Sequence, residues 1–385
     1  MKYVITLLIM ILALSSCVGE KRKHEINADK LTMYINPHET LVVHPFDSLF
    51  KKRKVVKLET TNESLIGRID KLVFYKGDIY ILDKKQNKIF VFDKLGVFQR
   101  VVNHFGQGHG EYTSLVDFQI EDDLIYLLDQ YGAKLLVYDL DDKLIKIEKA
   151  RKAKSVAVLD EGYAYNVEFG LADNTLQKDY YSYYYVEGEK EYFQNAYNKN
   201  LLGFSFSLGE GHNSFYKKNG TFYTHFPFND TIYNVENNGM LQPYQVFKIG
   251  DLVINKNDKP EEIRRLLDSG ISRSIFAYYD FHDYSFFSYY YGDEGRKYVL
   301  VSNSGEIIFN TNLNKDADKV PIRVISCDTD VNDNTIISML YPFELFTYYE
   351  HNKDNEYVKS LLNGVEMDSN PILVYYSFNP NPANC

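Results

Sequence analysis

The sequence has 385 residues, with three cysteines, 34 tyrosines, 25 phenylalanines and no tryptophan, and its 53 acidic against 43 basic side chains leave a net charge of −10. That acidic balance, with no Lys/Arg-rich stripe to neutralise phosphates, argues against nucleic acid as a partner. The length suffices for a large core or two domains, and alternation of aromatic, β-branched and polar residues points to sheet rather than helix.

Met1 and Lys2 give a short positive start, and Tyr3 to Leu14 then carries no charge and almost nothing polar. About a dozen apolar residues is the length of a signal-peptide core, whereas a bilayer-spanning helix needs roughly 20. Leu14-Ser15-Ser16-Cys17 follows directly. A branched apolar residue and two small residues before a cysteine resemble the lipobox of bacterial lipoproteins. The resemblance implies loss of residues 1–16 as a signal peptide and lipidation of Cys17. An ordinary secretory signal with an incidental Cys17 is the alternative. Several acyl chains, at about 0.8 kcal/mol per buried methylene, would make a durable anchor. Nothing after Cys17 is apolar for long enough to span a bilayer, so the expectation is an exported chain held by lipid at the outer membrane, on its periplasmic face.

Residues 17–45 read as lipidated cysteine and polar tether merging into a first strand, with Lys21-Arg22-Lys23 placed to meet anionic headgroups. From 46 to 385 short apolar runs alternate with turn residues. Between Lys71 and Val101 four strand-length segments (LVFY, IYILD, KIFVFD, VFQRVV) are broken by KGD, KKQN and KLG, which hold the residues turns need. The order recurs from Phe118 to Ile147, and Ile79-Tyr80-Ile81-Leu82-Asp83 aligns with Ile125-Tyr126-Leu127-Leu128-Asp129 at a spacing of 46 residues. Four strands in such a period make one β-propeller blade. Weaker units run from Ser155 to Phe193, Asn219 to Ile249, Ser285 to Phe309 and Ile322 to Tyr349. The fold class is therefore all-β, a six-bladed β-propeller of four-stranded antiparallel blades, with Val55 to Leu58 available to close the ring.

One stretch breaks the strand pattern. Asn257 to Gly270 carries a capping residue, Pro260 in the first turn, Glu261 and Glu262 at the positive end, and Ile263, Leu266 and Leu267 on one face. These signals predict a short helix near 258–270. An exported location also permits a disulfide between Cys327 and Cys385; two unpaired cysteines are the alternative.

Gly106-Gln107-Gly108-His109-Gly110-Glu111-Tyr112, followed by Leu115-Val116-Asp117-Phe118, resembles an element of the six-bladed β-propeller lipoproteins of Bacteroidetes, which are distantly NHL-repeat-like. His109 stands where that family has proline. Tyr80-Ile81-Leu82-Asp83 with Ile89 to Asp93, Asp230-Thr231-Ile232-Tyr233, and Asn370-Pro371-Ile372-Leu373-Val374 are similar to further family segments in the same order. The resemblance implies a fold, export and a lipid anchor, and no established activity. Gly106, Gly108 and Gly110 also have a physical reading, as positive-φ residues of a tight inter-blade crossing. A phosphate cradle would need a following helix, and the residues after Leu115 read as strand.

Compact catalytic motifs are missing: no H-E-x-x-H, no zinc-spaced Cys/His cluster, no G-x-S-x-G elbow. His104, His109, His212, His225 and His282 are the histidines that a propeller's loops could gather in a central funnel, although each alone reads as a surface or strand histidine. Asp328 to Asn334 lacks the glycine and glutamate of a calcium loop and reads as a turn. The tyrosine runs 180–185 and 278–291 read as packing between blades, with an outward platform for a glycan or partner as the alternative. No cofactor and no metal are implied. The expected function is a membrane-anchored binding or scaffolding module for an envelope protein or glycan; a funnel-centred hydrolase or lyase is the alternative.

Overall fold

The computed structural model describes residues 32–167, 180–198, 200–201, 214–250, 257–268, 275–315, 319–325, 327–328 and 334–380. Cys17, Cys385 and His212 lie outside the described residues, as does the side chain of Cys327, and so do the signal peptide and the proposed disulfide. Within them, six small antiparallel sheets follow one another around a ring. The first blade comprises Lys71–Tyr75, Asp78–Asp83, Lys88–Phe92 and Phe98–Val102, and the second Leu115–Glu121, Leu124–Asp129, Lys134–Asp139 and Leu144–Lys149. The third is Ser155–Leu159, Gly162–Asn166, Tyr180–Glu187 and Lys190–Tyr197; the fourth Phe215–Lys218, Thr221–His225, Thr231–Val235 and Leu241–Ile249. The fifth is Phe276–Asp280, Tyr284–Tyr290, Arg296–Ser302 and Ile307–Thr311. The sixth takes Val324–Ile325, Thr335–Leu340 and Ile372–Phe378 from the end of the chain and Phe50–Lys57 from its start.

That mixed sixth blade closes the ring, with Val55 and Val56 opposite Val374 and Leu373. The segment expected to close it is the one that does. Thr32–Ile35 and Leu41–Val42 fall in the stretch read as tether merging into a first strand, and they are strands. The first runs parallel to the outer strand of the fourth blade and the second pairs with the outer strand of the fifth. The turn between them is gripped by the buried Lys297, whose Nζ donates to the carbonyls of Pro37 at 2.7 Å and Glu39 at 3.2 Å.

Apolar side chains form a series of wedges, each shared by two neighbouring blades. Leu72, Ile79 and Phe90 of the first blade pack on Ile337 and Leu373 of the sixth, and Phe118 and Ile125 of the second pack on Val73 and Ile89 of the first. No blade buries both its faces alone, so stability belongs to the closed ring. Inner hairpins turn tightly. Lys76 and Gly77, Asp122 and Asp123, and Asn219 and Gly220 pair positive φ at both central positions, the twist that matches right-handed strands.

The predicted helix is present as Pro260–Asp268, with Ile263 fully buried and the Glu262 carboxylate accepting from Lys259 N at 2.9 Å. Two further helices, Pro342–His351 and Glu356–Leu362, are inserted between the second and third strands of the sixth blade. The strands of the unit read as running from Ile322 to Tyr349 therefore stop at Leu340. Pro342 occupies the first helical turn, Leu345 and Tyr348 face the core, and Asn355 caps the second helix by accepting from Val358 N. Aromatic residues of strand propensity are overridden here by end signals and by burial.

The central residues of the tyrosine runs pack between blades, Tyr278 and Tyr289 of the second run included, whereas Tyr290 is exposed. Tyr183, Tyr184 and Tyr185 are buried, Tyr184 stacking on Tyr165 at 4.7 Å and Tyr183 donating to the Gly239 carbonyl at 2.8 Å. Gly239 has φ +75°, and a Cβ there would lie 2.0 Å from the Tyr185 ring. Gly239→Ala is therefore expected to cost about 2–4 kcal/mol, read as a lower urea midpoint at unchanged m-value; an unshifted midpoint would contradict this packing.

Burial pushes the ionisation of Tyr165, Tyr183, Tyr184, Tyr216 and Tyr278 far up, and that of Tyr112 to about 12. A hydroxyl whose folded value is raised binds more protons in the folded chain. Its contribution is whole below the ordinary tyrosine value and is lost as pH climbs towards the folded one. Stability should thus fall above about pH 10, by up to ~1.4 kcal/mol per pH unit for each such tyrosine. In a pH titration, tyrosinate absorbance should rise together with loss of far-UV ellipticity; tyrosinate forming fully within an intact sheet signal would refute this.

Candidate functional site

The residues singled out by the repeat serve as joints. Asp83 and Asp129 end the second strands of the first two blades, and both are fully buried. Asp83 accepts from Gly67 N at 2.8 Å, Arg68 N at 3.1 Å and Gln86 N at 3.0 Å. Asp129 accepts from Thr113 N at 3.1 Å, Ser114 N at 3.0 Å and Gly132 N at 3.1 Å. The offsets are the same in both, so each carboxylate ties the crossing that enters its blade to its own second turn. Asp117 makes a third joint. It accepts from Lys71 Nζ of the first blade at 2.8 Å and Val156 N of the third at 2.9 Å, and Asp117 and Lys71 are both buried.

The glycine-rich crossing is also structural. Only Gly110 of its three glycines has positive φ, at +85°, which corrects the expectation for Gly106 and Gly108. Those two are small because the Glu111 carboxylate folds back against them, and a Cβ on Gly106 would lie 2.0 Å from its Oε2. Gly108 N donates to Glu111 at 2.7 Å, so no backbone donors converge there on an empty cradle.

The described histidines among these do not meet. His104 stacks on Tyr138 at 4.0 Å beside the first crossing, His109 is exposed on it, His225 is buried in the fourth blade and His282 is exposed on the fifth. Among the described residues, no three His, Cys, Asp or Glu side chains stand close enough to hold a metal ion.

Antiparallel blades place the first-to-second and third-to-fourth turns at one end of the ring. At that end a groove of about 1010 Å³ crosses the second, third and fourth blades. Its walls carry seven carboxylates, Glu121, Asp122, Glu148, Asp160, Glu161, Glu189 and Glu191, against three lysines, Lys146, Lys149 and Lys217. Tyr126, Tyr163 and Phe222 supply the aromatic surface. Blade contacts hold it in shape. Lys217 of the fourth blade pairs with Glu121 of the second, and Asn237 Nδ2 reaches Asp160 at 2.5 Å. Lys146 Nζ donates to the Tyr163 hydroxyl at 2.8 Å and lies 3.1 Å from Glu148, contacts that raise its affinity for the proton. Asp122, Glu161 and Glu189 are exposed and have no ion-pair partner among the described residues.

These groove carboxylates escaped sequence reasoning because they sit in turns, where acidic residues are ordinary. The available signal was positional: Glu121-Asp122-Asp123 and Asp160-Glu161 occupy the first-to-second turns of adjacent blades, and Glu187-Gly188-Glu189 the third-to-fourth turn of the latter, at the same end of the ring.

A family model for a domain of unknown function, DUF4934, matches residues 39–377. The fold is similar to that of an exported protein of Bacteroides fragilis, at TM-score 0.69 and 16% identity over 91% of this chain and 99% of that one. It is also similar to a DUF4221-family member from Bacteroides vulgatus, at TM-score 0.51 and 11% identity over 86% of this chain and 97% of that one. No curated protein matches the chain. The propeller and the resemblance to Bacteroidetes proteins of that fold, read from the motifs above, are both borne out.

Proposed function

The chain belongs to the family of the DUF4934 domain of unknown function, and from that premise we propose that it is an exported, lipid-anchored propeller that binds an envelope ligand or partner. Recognition is assigned to the groove across the second, third and fourth blades. The observation that carries this reading is the groove itself: a concavity of about 1010 Å³ in which polar and aromatic groups from three blades converge. Rigid blades hold those groups on short turns, so a ligand meets a surface already in place.

The anchor is the part read from sequence alone. Wild-type chain should incorporate labelled palmitate in cells and Cys17→Ala should not; equal labelling would remove the lipid from the account. Recognition is tested with soluble chain lacking residues 1–17. Co-sedimentation with envelope fragments should weaken at least tenfold in the variant Tyr163→Ala/Asn237→Ala, and unchanged co-sedimentation would place recognition elsewhere.

A further inference from the structure

The ligand class follows from the chemistry of the groove walls. We infer that the groove takes a cationic ligand, an extended basic peptide segment whose ammonium or guanidinium groups seat on its rings and carboxylates. This rests on the groove being the recognition site.

Two observations carry it. The walls already hold ammonium groups of the protein's own: Lys146 Nζ donates to the Tyr163 hydroxyl at 2.8 Å, and Lys217 Nζ lies 5.1 Å from the centre of the Phe222 ring. These lysines show the walls accepting cations by hydroxyl and carboxylate and, at Phe222, by an aromatic ring. Second, the charges do not cancel within the groove. Lys146 and Lys217 are engaged with Glu148 and Glu121, while Asp122, Glu161 and Glu189 stay exposed at three hairpin tips. A peptide fits the volume, which exceeds that of a single side chain several times over.

The probes are a nonalysine peptide, the same peptide with every amine acetylated, and a neutral chito-oligosaccharide. Nonalysine should bind, acetylation should weaken it at least tenfold, and affinity should fall steeply with added salt. Asp122→Asn/Glu161→Gln/Glu189→Gln should weaken it at least tenfold at an unchanged Tm. The control Glu350→Gln/Asp354→Asn/Glu366→Gln removes as much charge from the helical insertion at the other end, and should change affinity less than twofold. Equal losses in both variants would reduce the effect to overall charge and overturn the inference. So would equal binding of the acetylated peptide. If the oligosaccharide alone binds, and Tyr163→Ala/Asn237→Ala abolishes it, the groove stands as the site and the cationic class falls.

Discussion

Asp117→Asn is expected to lower stability by about 3 kcal/mol, because it withdraws the buried carboxylate that meets the Lys71 ammonium at 2.8 Å. Lys71 Nζ also donates to the Phe118 carbonyl at 2.8 Å, a neutral acceptor that cannot offset the lost carboxylate. Asparagine keeps an oxygen for Val156 N, so the loss isolates the charge rather than the third-blade hydrogen bond. Adding Lys71→Met removes the buried cation as well and should recover at least half of the loss. Urea unfolding of the two single variants and the double variant measures the coupling. Strict additivity would show that the pair does not act as a unit, and the joint between the first three blades would then need another explanation.

The second large effect concerns the repeated clasp. Asp129→Ala leaves the amides of Thr113, Ser114 and Gly132 without their acceptor at a fully buried position, a cost of about 3–4 kcal/mol. Asp83→Ala should cost the same within about 1 kcal/mol, since its three amides occupy the same offsets. Asp93 and Asp139 also repeat, each accepting two amides in its hairpin turn. They are only half-buried, so water can replace the carboxylate and Ala should cost under about 1 kcal/mol there. Thermal or urea midpoints should therefore fall into two classes, and a single class would deny burial its deciding role.

These four aspartates also explain what the sequence could reveal. The spacing of 46 residues between Asp83 and Asp129 is visible because the same carboxylate clasp, with the same offsets, closes both blades. Blades with other joints show no such mark, so the third to sixth units were fainter, and their strands had to be read from alternation alone. Closure by Val55 to Leu58 was legible because β-branched residues there have no earlier partner. The helices Pro342–His351 and Glu356–Leu362 were not, since Phe343, Phe346, Tyr348 and Tyr349 carry strand propensity and only capping residues argue otherwise. The groove was the least legible feature. Its carboxylates come from the second and third blades and its Phe222, Lys217 and Asn237 from the fourth, and only the packing of these blades brings them together.

Recognition at the groove end is tested most directly in intact cells by a photoreactive benzoylphenylalanine placed at chosen positions. Replacing Glu189 or Glu161, at the groove, should yield a discrete crosslinked adduct on illumination. Replacing Phe343 or Met367, exposed on the helical insertion at the opposite end, should not. Adducts from Phe343 and Met367, with none from Glu161 and Glu189, would contradict the assignment and move recognition to the other face of the propeller.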